Sequence, residues 1–137
     1  MTTNIQLIEG ALREINVISE IDSASAEQGS YGLRKLNQLM EFWKGESIDL
    51  KWFAQTSTTA TAPVPDWAEI AVESALAILM APKYGATVSP ELAAIADNAV
   101  SGVRRKLISE QLDNADMSHL PRGSGRAGYN ILTDSFD

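Results

Sequence analysis

Two short signatures restrict this chain to a helical fold. In Thr3-Asn4-Ile5-Gln6, and again in Ser25-Ala26-Glu27-Gln28, a hydroxyl residue stands three places ahead of a glutamine. That pairing lets the hydroxyl accept from the third helical N–H while the glutamine side chain returns a bond to the cap's own N–H. Behind the first signature, Ile5, Ile8, Leu12 and Ile15 follow at spacings of three and four, which predicts a helix over Asn4 to Asn16 with one apolar stripe. Behind the second come Leu33, Leu36, Met40 and Trp43. Gly45 is the expected stop, and Gly29 and Gly32 are expected to loosen the first turns by about 1 kcal/mol each relative to alanine. A third helix opens at "PDWAE", with Asp66 as the expected cap and Glu69 reciprocating, and runs to Pro82, with Gly85 closing it. A fourth is announced by "SPEL": Ser89 caps, Pro90 takes the first helical position and Glu91 suits the positive end of the dipole. Leu92, Ile95, Ala99, Val103 and either Leu107 or the stem of Lys106 carry its predicted face to about Leu112. The expected architecture is all-α, a small four-helix bundle.

Two segments do not fit that period. Residues 47 to 65, "SIDLKWFAQTSTTATAPVP", separate helices two and three, with Trp52 and Phe53 near the start and Pro63 and Pro65 at the end. A connection this long in a compact domain is usually functional, and its Thr-rich middle favours extended backbone. The reading is an extended arm that projects from the bundle, with Trp52, Phe53 and Trp67 as anchors for a neighbouring subunit or partner. The last residues, "SHLPRGSGRAGYNILTDSFD", hold three glycines around Arg122 and Arg126 and then Tyr129, Ile131, Leu132 and Phe136. Such a stretch has too little apolar surface to order alone, yet more than a solubilising tail needs. The expected division is therefore a helical domain over 1 to 115, with its arm at 47 to 65, and a tail over 116 to 137 that orders on a partner.

Composition removes much chemistry. With 45% apolar and 21% charged residues, the 137-residue chain suits one modest core. Its N-terminus lacks the basic start and apolar run of a secretory signal, and no stretch is long and apolar enough to span a bilayer, so a cytoplasmic protein is expected. There is no cysteine and one histidine, His119, which rules out disulfides, a thiol nucleophile and a histidine-rich metal site within one chain. No cofactor is expected. The net charge of −7 opposes a protein whose main task is gripping nucleic acid. Its distribution is uneven: residues 1 to 100 hold 6 basic and 13 acidic side chains, and residues 101 to 137 hold 5 of each.

No catalytic constellation stands out. Glu69 and Glu73 share a helix face at i and i+4, but nothing in the sequence marks a cleft to raise either pKa, so both are expected on a solvated face. His119, Ser118 and Asp116 lie where no further residues would fix a triad. The "GSG" at 123 to 125 lacks the Lys and Ser/Thr of a phosphate loop and reads as a hinge. Arg104, Arg105 and Lys106 complement the negative end of their helix, or present at least one cation to a DNA channel or an acidic partner. Helices three and four are rich in alanine, leaving more small apolar positions than one bundle needs.

Three soft motifs carry a resemblance. They are the helix end Leu36, Met40, Trp43, the turn Ala81-Pro82-Lys83-Tyr84-Gly85, and the hinge Pro121-Arg122-Gly123-Ser124-Gly125. In this order and spacing the chain resembles, over nearly its whole length, the head-to-tail adaptors of short-tailed bacteriophages, also called tail accessory, head completion or packaged-DNA stabilisation proteins. The resemblance implies a structural virion protein, not an enzyme, made in the host cytoplasm and found at the head-to-tail interface. It implies a ring, typically of twelve copies, that docks on the portal protein, lengthens the channel through which double-stranded DNA passes without sequence-specific binding, helps to retain that DNA, and receives the tail nozzle protein. Pro121, Arg122, Gly123, Gly125, Tyr129, Ile131, Leu132 and Phe136 would form the portal-binding tail. Trp52, Phe53 and Trp67 would serve contacts between subunits or with the nozzle, and Arg104, Arg105 and Lys106 would be the candidates to face the channel. The alternative is a tail-associated enzyme acting on the cell envelope. A small DNA-binding regulator is opposed by the acidic charge.

Overall fold

The computed structural model describes residues 2 to 114, together with the backbone of two short strands near the C-terminus. Four helices follow in order: α1 (Asn4–Glu14), α2 (Ala26–Gly45), α3 (Glu69–Met80) and α4 (Pro90–Asn114). The fold is all-α. The strands β1 (Tyr129–Asn130) and β2 (Ser135–Phe136) pair antiparallel, Tyr129 opposite Phe136.

Both capping boxes form. Gln6 N–H donates to Thr3 Oγ1 and Thr3 N–H to Gln6 Oε1, and Ser25 and Gln28 repeat the exchange. The helices end by a shared device too. Val17 N–H donates to the Leu12 carbonyl and Asn16 N–H to that of Arg13, Ile48 and Ser47 do the same to Trp43 and Lys44, and Ala86 and Gly85 to Ala81 and Pro82. In each case the middle residue is left-handed: Asn16 at φ 60°, Ser47 at 69° and Gly85 at 64°. These are Schellman closures, in which the left-handed turn brings two orphan carbonyls their donors. Gly45 is thus the last helical residue rather than the turning one, a role that falls to Ser47.

Helix α3 lies at the centre and is buried along most of its length, through Ala71, Val72, Leu76, Ala77 and Met80, with α1, α2 and α4 around it. At Gly32 α1 and α2 approach closely, since a Cβ there would overlap the γ carbons of fully buried Ile8. Of the two glycines expected to loosen α2, Gly32 instead lets its neighbour in, and the helix is regular from Ala26 onward. Two expectations for the second half are corrected. Asp66 makes no side-chain cap: a 3₁₀ turn, Asp66–Ala68, leads into α3, and Pro65 sets its entry. On α4 the buried face is Leu92, Ala96 and Val103, and Ile95 is 46% exposed. Ser89 does cap α4, accepting from Leu92 N–H at 3.1 Å.

The largest correction concerns residues 47 to 65. They do not project; they lie against the bundle as a strap. Ile48, Leu50 and Trp52 are buried while Ser47, Asp49, Lys51 and Phe53 face outward, an alternation of period two on backbone that is not a regular strand, since Lys51 is left-handed at φ 61°. Farther along, Ala62 and Val64 are buried as well. The strap also completes α1. Asn4 N–H donates to the Ala60 carbonyl at 3.0 Å, Ile5 N–H to that of Thr58 at 2.8 Å, and Ala62 N–H to that of Thr2 at 2.9 Å. Two of the first helical donors, which a helix leaves orphaned, are thereby satisfied by chain from elsewhere.

Candidate interaction surfaces

The residues singled out from the sequence are not gathered in one place. Trp52 is a core residue: its indole N–H donates to Asn37 Oδ1 at 3.1 Å and its ring is buried in its own bundle, so it is no anchor for a neighbour. Asn37 does more, accepting from Gln55 N–H at 2.9 Å and donating to the Gln55 carbonyl at 2.9 Å. One amide thus pairs with the strap as a strand neighbour would. The Gln55 side chain bridges onward, accepting from Asn4 Nδ2 at 3.0 Å. Phe53 and Trp67 do reach the surface, at 65% and 38% exposure.

The three cations of α4 point in different directions. Arg104 pairs with Glu46 at 3.0 Å and ties α4 to the end of α2. Lys106 reaches Glu110 at 3.9 Å and lies 5.2 Å from the Trp67 ring centre. Arg105 is exposed. Both ion pairs are about half exposed and act as weak tethers. The tail positions Pro121, Arg122, Gly123, Gly125, Ile131 and Leu132 lie outside the described residues, as do the side chains of Tyr129 and Phe136.

Two surfaces that the sequence reading did not assemble lie at opposite ends of α3. At its start, Glu14 from α1, Asp66, and Glu69 and Glu73 from α3 line an open hollow of about 460 Å³ with Ile70, Ser74 and Ile95. Glu73 departs from the solvated-face expectation. It is half-buried, its carboxylate lies over Gly10, where a Cβ would stand 2.5 Å from Oε1, and burial pushes its pKa up from the ordinary 4.5. The charges of Glu14 and Glu69 push the same way, and Arg13 opposes them. At the other end of α3, Lys83 Nζ sits 3.7 Å from the Tyr31 ring centre, Lys35 Nζ 5.7 Å from it, and Tyr84 meets the same ring edge-on at 6.0 Å. A third, apolar hollow is lined by Gln38, Leu39, Phe42 and Leu79, with Phe42 63% exposed.

A pH dependence follows from Glu73. Its folded pKa is raised, so as pH climbs the unfolded chain releases this proton first, and stability is lost from about pH 4.5 upward until the folded group has also ionised. Glu73→Gln is therefore expected to raise Tm at pH 7 and to change it little near pH 3, where both side chains are neutral. Thermal unfolding at the two pH values checks this.

No protein-family model matches the chain, and no curated protein matches it. Among the described residues, no helix is long and apolar enough to cross a membrane, and no group of three or more His, Cys, Asp and Glu side chains is placed to hold a metal ion.

Proposed function

We propose that this chain is a structural adaptor of a short-tailed phage virion. It assembles as a ring beneath the portal, lengthens the DNA channel, helps to hold the packaged genome and offers a docking surface to the tail nozzle. The observation that carries the reading, beyond the sequence resemblance, is the large apolar surface left uncovered on a bundle whose core is already filled: Phe42, Phe53, Ile70, Ile95, Ile108 and Leu112 are each about half exposed or more. Ile70 and Ile95 are grouped at one hollow and Phe42 with Leu79 at another, and apolar area gathered at two places suits a subunit with neighbours on more than one side. The acidic charge supports a lumen along which DNA slides rather than sticks. The tail, with its Gly hinge and later apolar residues, is the portal-binding element in this reading, ordering on contact, and ring symmetry multiplies its affinity.

The deciding measurement is the mass of the purified protein alone and after mixing with its cognate portal ring. The adaptor predicts a species that joins the portal in fixed stoichiometry and fails to do so when residues 121 to 137 are deleted. A protein that ignores the portal overturns it. A second reading, an envelope-degrading enzyme, is favoured by the half-buried Glu73 carboxylate among three other acids. It predicts cell-wall hydrolysis by the pure protein that Glu73→Gln abolishes.

A further inference from the structure

We infer that the acidic hollow at the start of α3 receives the cationic, aromatic patch at the end of α3 from the next copy of this chain, so that copies join head to tail. Four carboxylates, those of Glu14, Asp66, Glu69 and Glu73, share the first surface with exposed Ile70 and Ile95. On the second surface Lys35 and Lys83 both lie against Tyr31, and Tyr84 meets that ring. The two surfaces are complementary in charge, and each offers apolar or aromatic area beside its charges.

They remain unmatched within one copy. Among the described residues the ion pairs are Arg13 with Glu9, Arg104 with Glu46 and Lys106 with Glu110, so no carboxylate of the first surface and neither lysine of the second is in a salt bridge, the lysines resting on aromatic rings instead. Nor are the two able to meet in one chain. Twelve residues of α3 separate them by roughly 20 Å at 1.5 Å per residue. Where two different patches on one molecule complement each other, the contact is heterologous, and its repetition closes into a ring if the rotation allows. Like charges brought together at such a contact repel, so charge reversal reads it directly.

The inference rests on the ring half of the proposed function, and the assay omits the portal so that the two fail separately. Sedimentation equilibrium at low ionic strength compares wild type with Lys35→Glu/Lys83→Glu and with Asp66→Lys/Glu69→Lys, each first shown by circular dichroism to keep its helicity. Wild type is expected to grow beyond two copies with concentration and to dissociate in salt. Each double variant alone is expected to associate about tenfold more weakly or less. An equimolar mixture of the two is expected to recover pairing, because the unaltered hollow of the first variant then meets the unaltered patch of the second. A wild-type monomer at all concentrations, reversals without effect, a mixture that fails to pair, or wild-type growth that stops at two copies overturns the proposal. Recovery in the mixture alongside a protein that ignores the portal leaves this contact standing and removes the portal reading.

Discussion

Asn37→Ala is expected to destabilise the protein by about 3 kcal/mol or more, and to free the strap before the bundle unfolds. The substitution takes partners from three groups at once: the Trp52 indole N–H, the Gln55 N–H and the Gln55 carbonyl. A buried polar group stripped of its partner costs about 1–3 kcal/mol, and partial access to water keeps the sum near the low end of that range. The strap holds few other side-chain bonds to α2, so hydrogen exchange is expected to rise first over residues 52 to 57. Trp52 emission is expected to shift to the red in the variant at denaturant concentrations where the helical signal is still intact. Coincident loss of both signals would show that the strap and bundle form one cooperative unit in which Asn37 has no separate role.

Gly32→Ala is expected to cost about 2 kcal/mol, although alanine is the better helix former by about 1 kcal/mol. The added methyl meets the γ carbons of Ile8, whose side chain is fully buried and branched at Cβ. Overpacking of that kind costs about 1–3 kcal/mol, and its upper range applies where the neighbour has no free rotamer to take. Gly10→Ala supplies the control. There the obstruction is the end of the Glu73 side chain, which can swing away, so the change is expected to be near neutral. Urea unfolding of the pair of variants checks the contrast, and equal effects would remove the explanation from the α1–α2 contact.

Those two glycines show what sequence can and cannot disclose here. Helix starts are local, and Thr3 with Gln6, Ser25 with Gln28 and Ser89 with Pro90 were legible because each cap is made by neighbours in the chain. The stripe of α2 was legible for the same reason, and that of α1 in part: Ile8, Leu12 and Ile15 are buried as expected, but Ile5 is only partly so and the buried Leu7 was not foreseen. A glycine's role, by contrast, depends on what crosses it, and Gly32 is explained by Ile8 on another helix. The strap carried a readable signal in its strict alternation from Ile48 to Trp52, which is a packed strand's pattern and not that of a projecting arm. What it packs on was not readable, because the amide that holds it, Asn37, sits on an otherwise ordinary helix. Glu73 looked like any surface glutamate until α1 was laid beside it. The acidic and cationic patches draw on residues far apart in sequence, and no spacing rule brings Tyr31 to Lys83.

The strap's carbonyls at the start of α1 bear on how the chain is made. The segment that completes the first helix lies far downstream: Asn4 and its partner Gln55 are 51 residues apart. An 11-residue helix is shorter than isolated helices need to persist in water. At synthesis rates of about 5–20 residues per second, α1 therefore lacks these strap contacts for some seconds, until residues 55 to 62 leave the ribosome. Its completion is a long-range closure and not a local event.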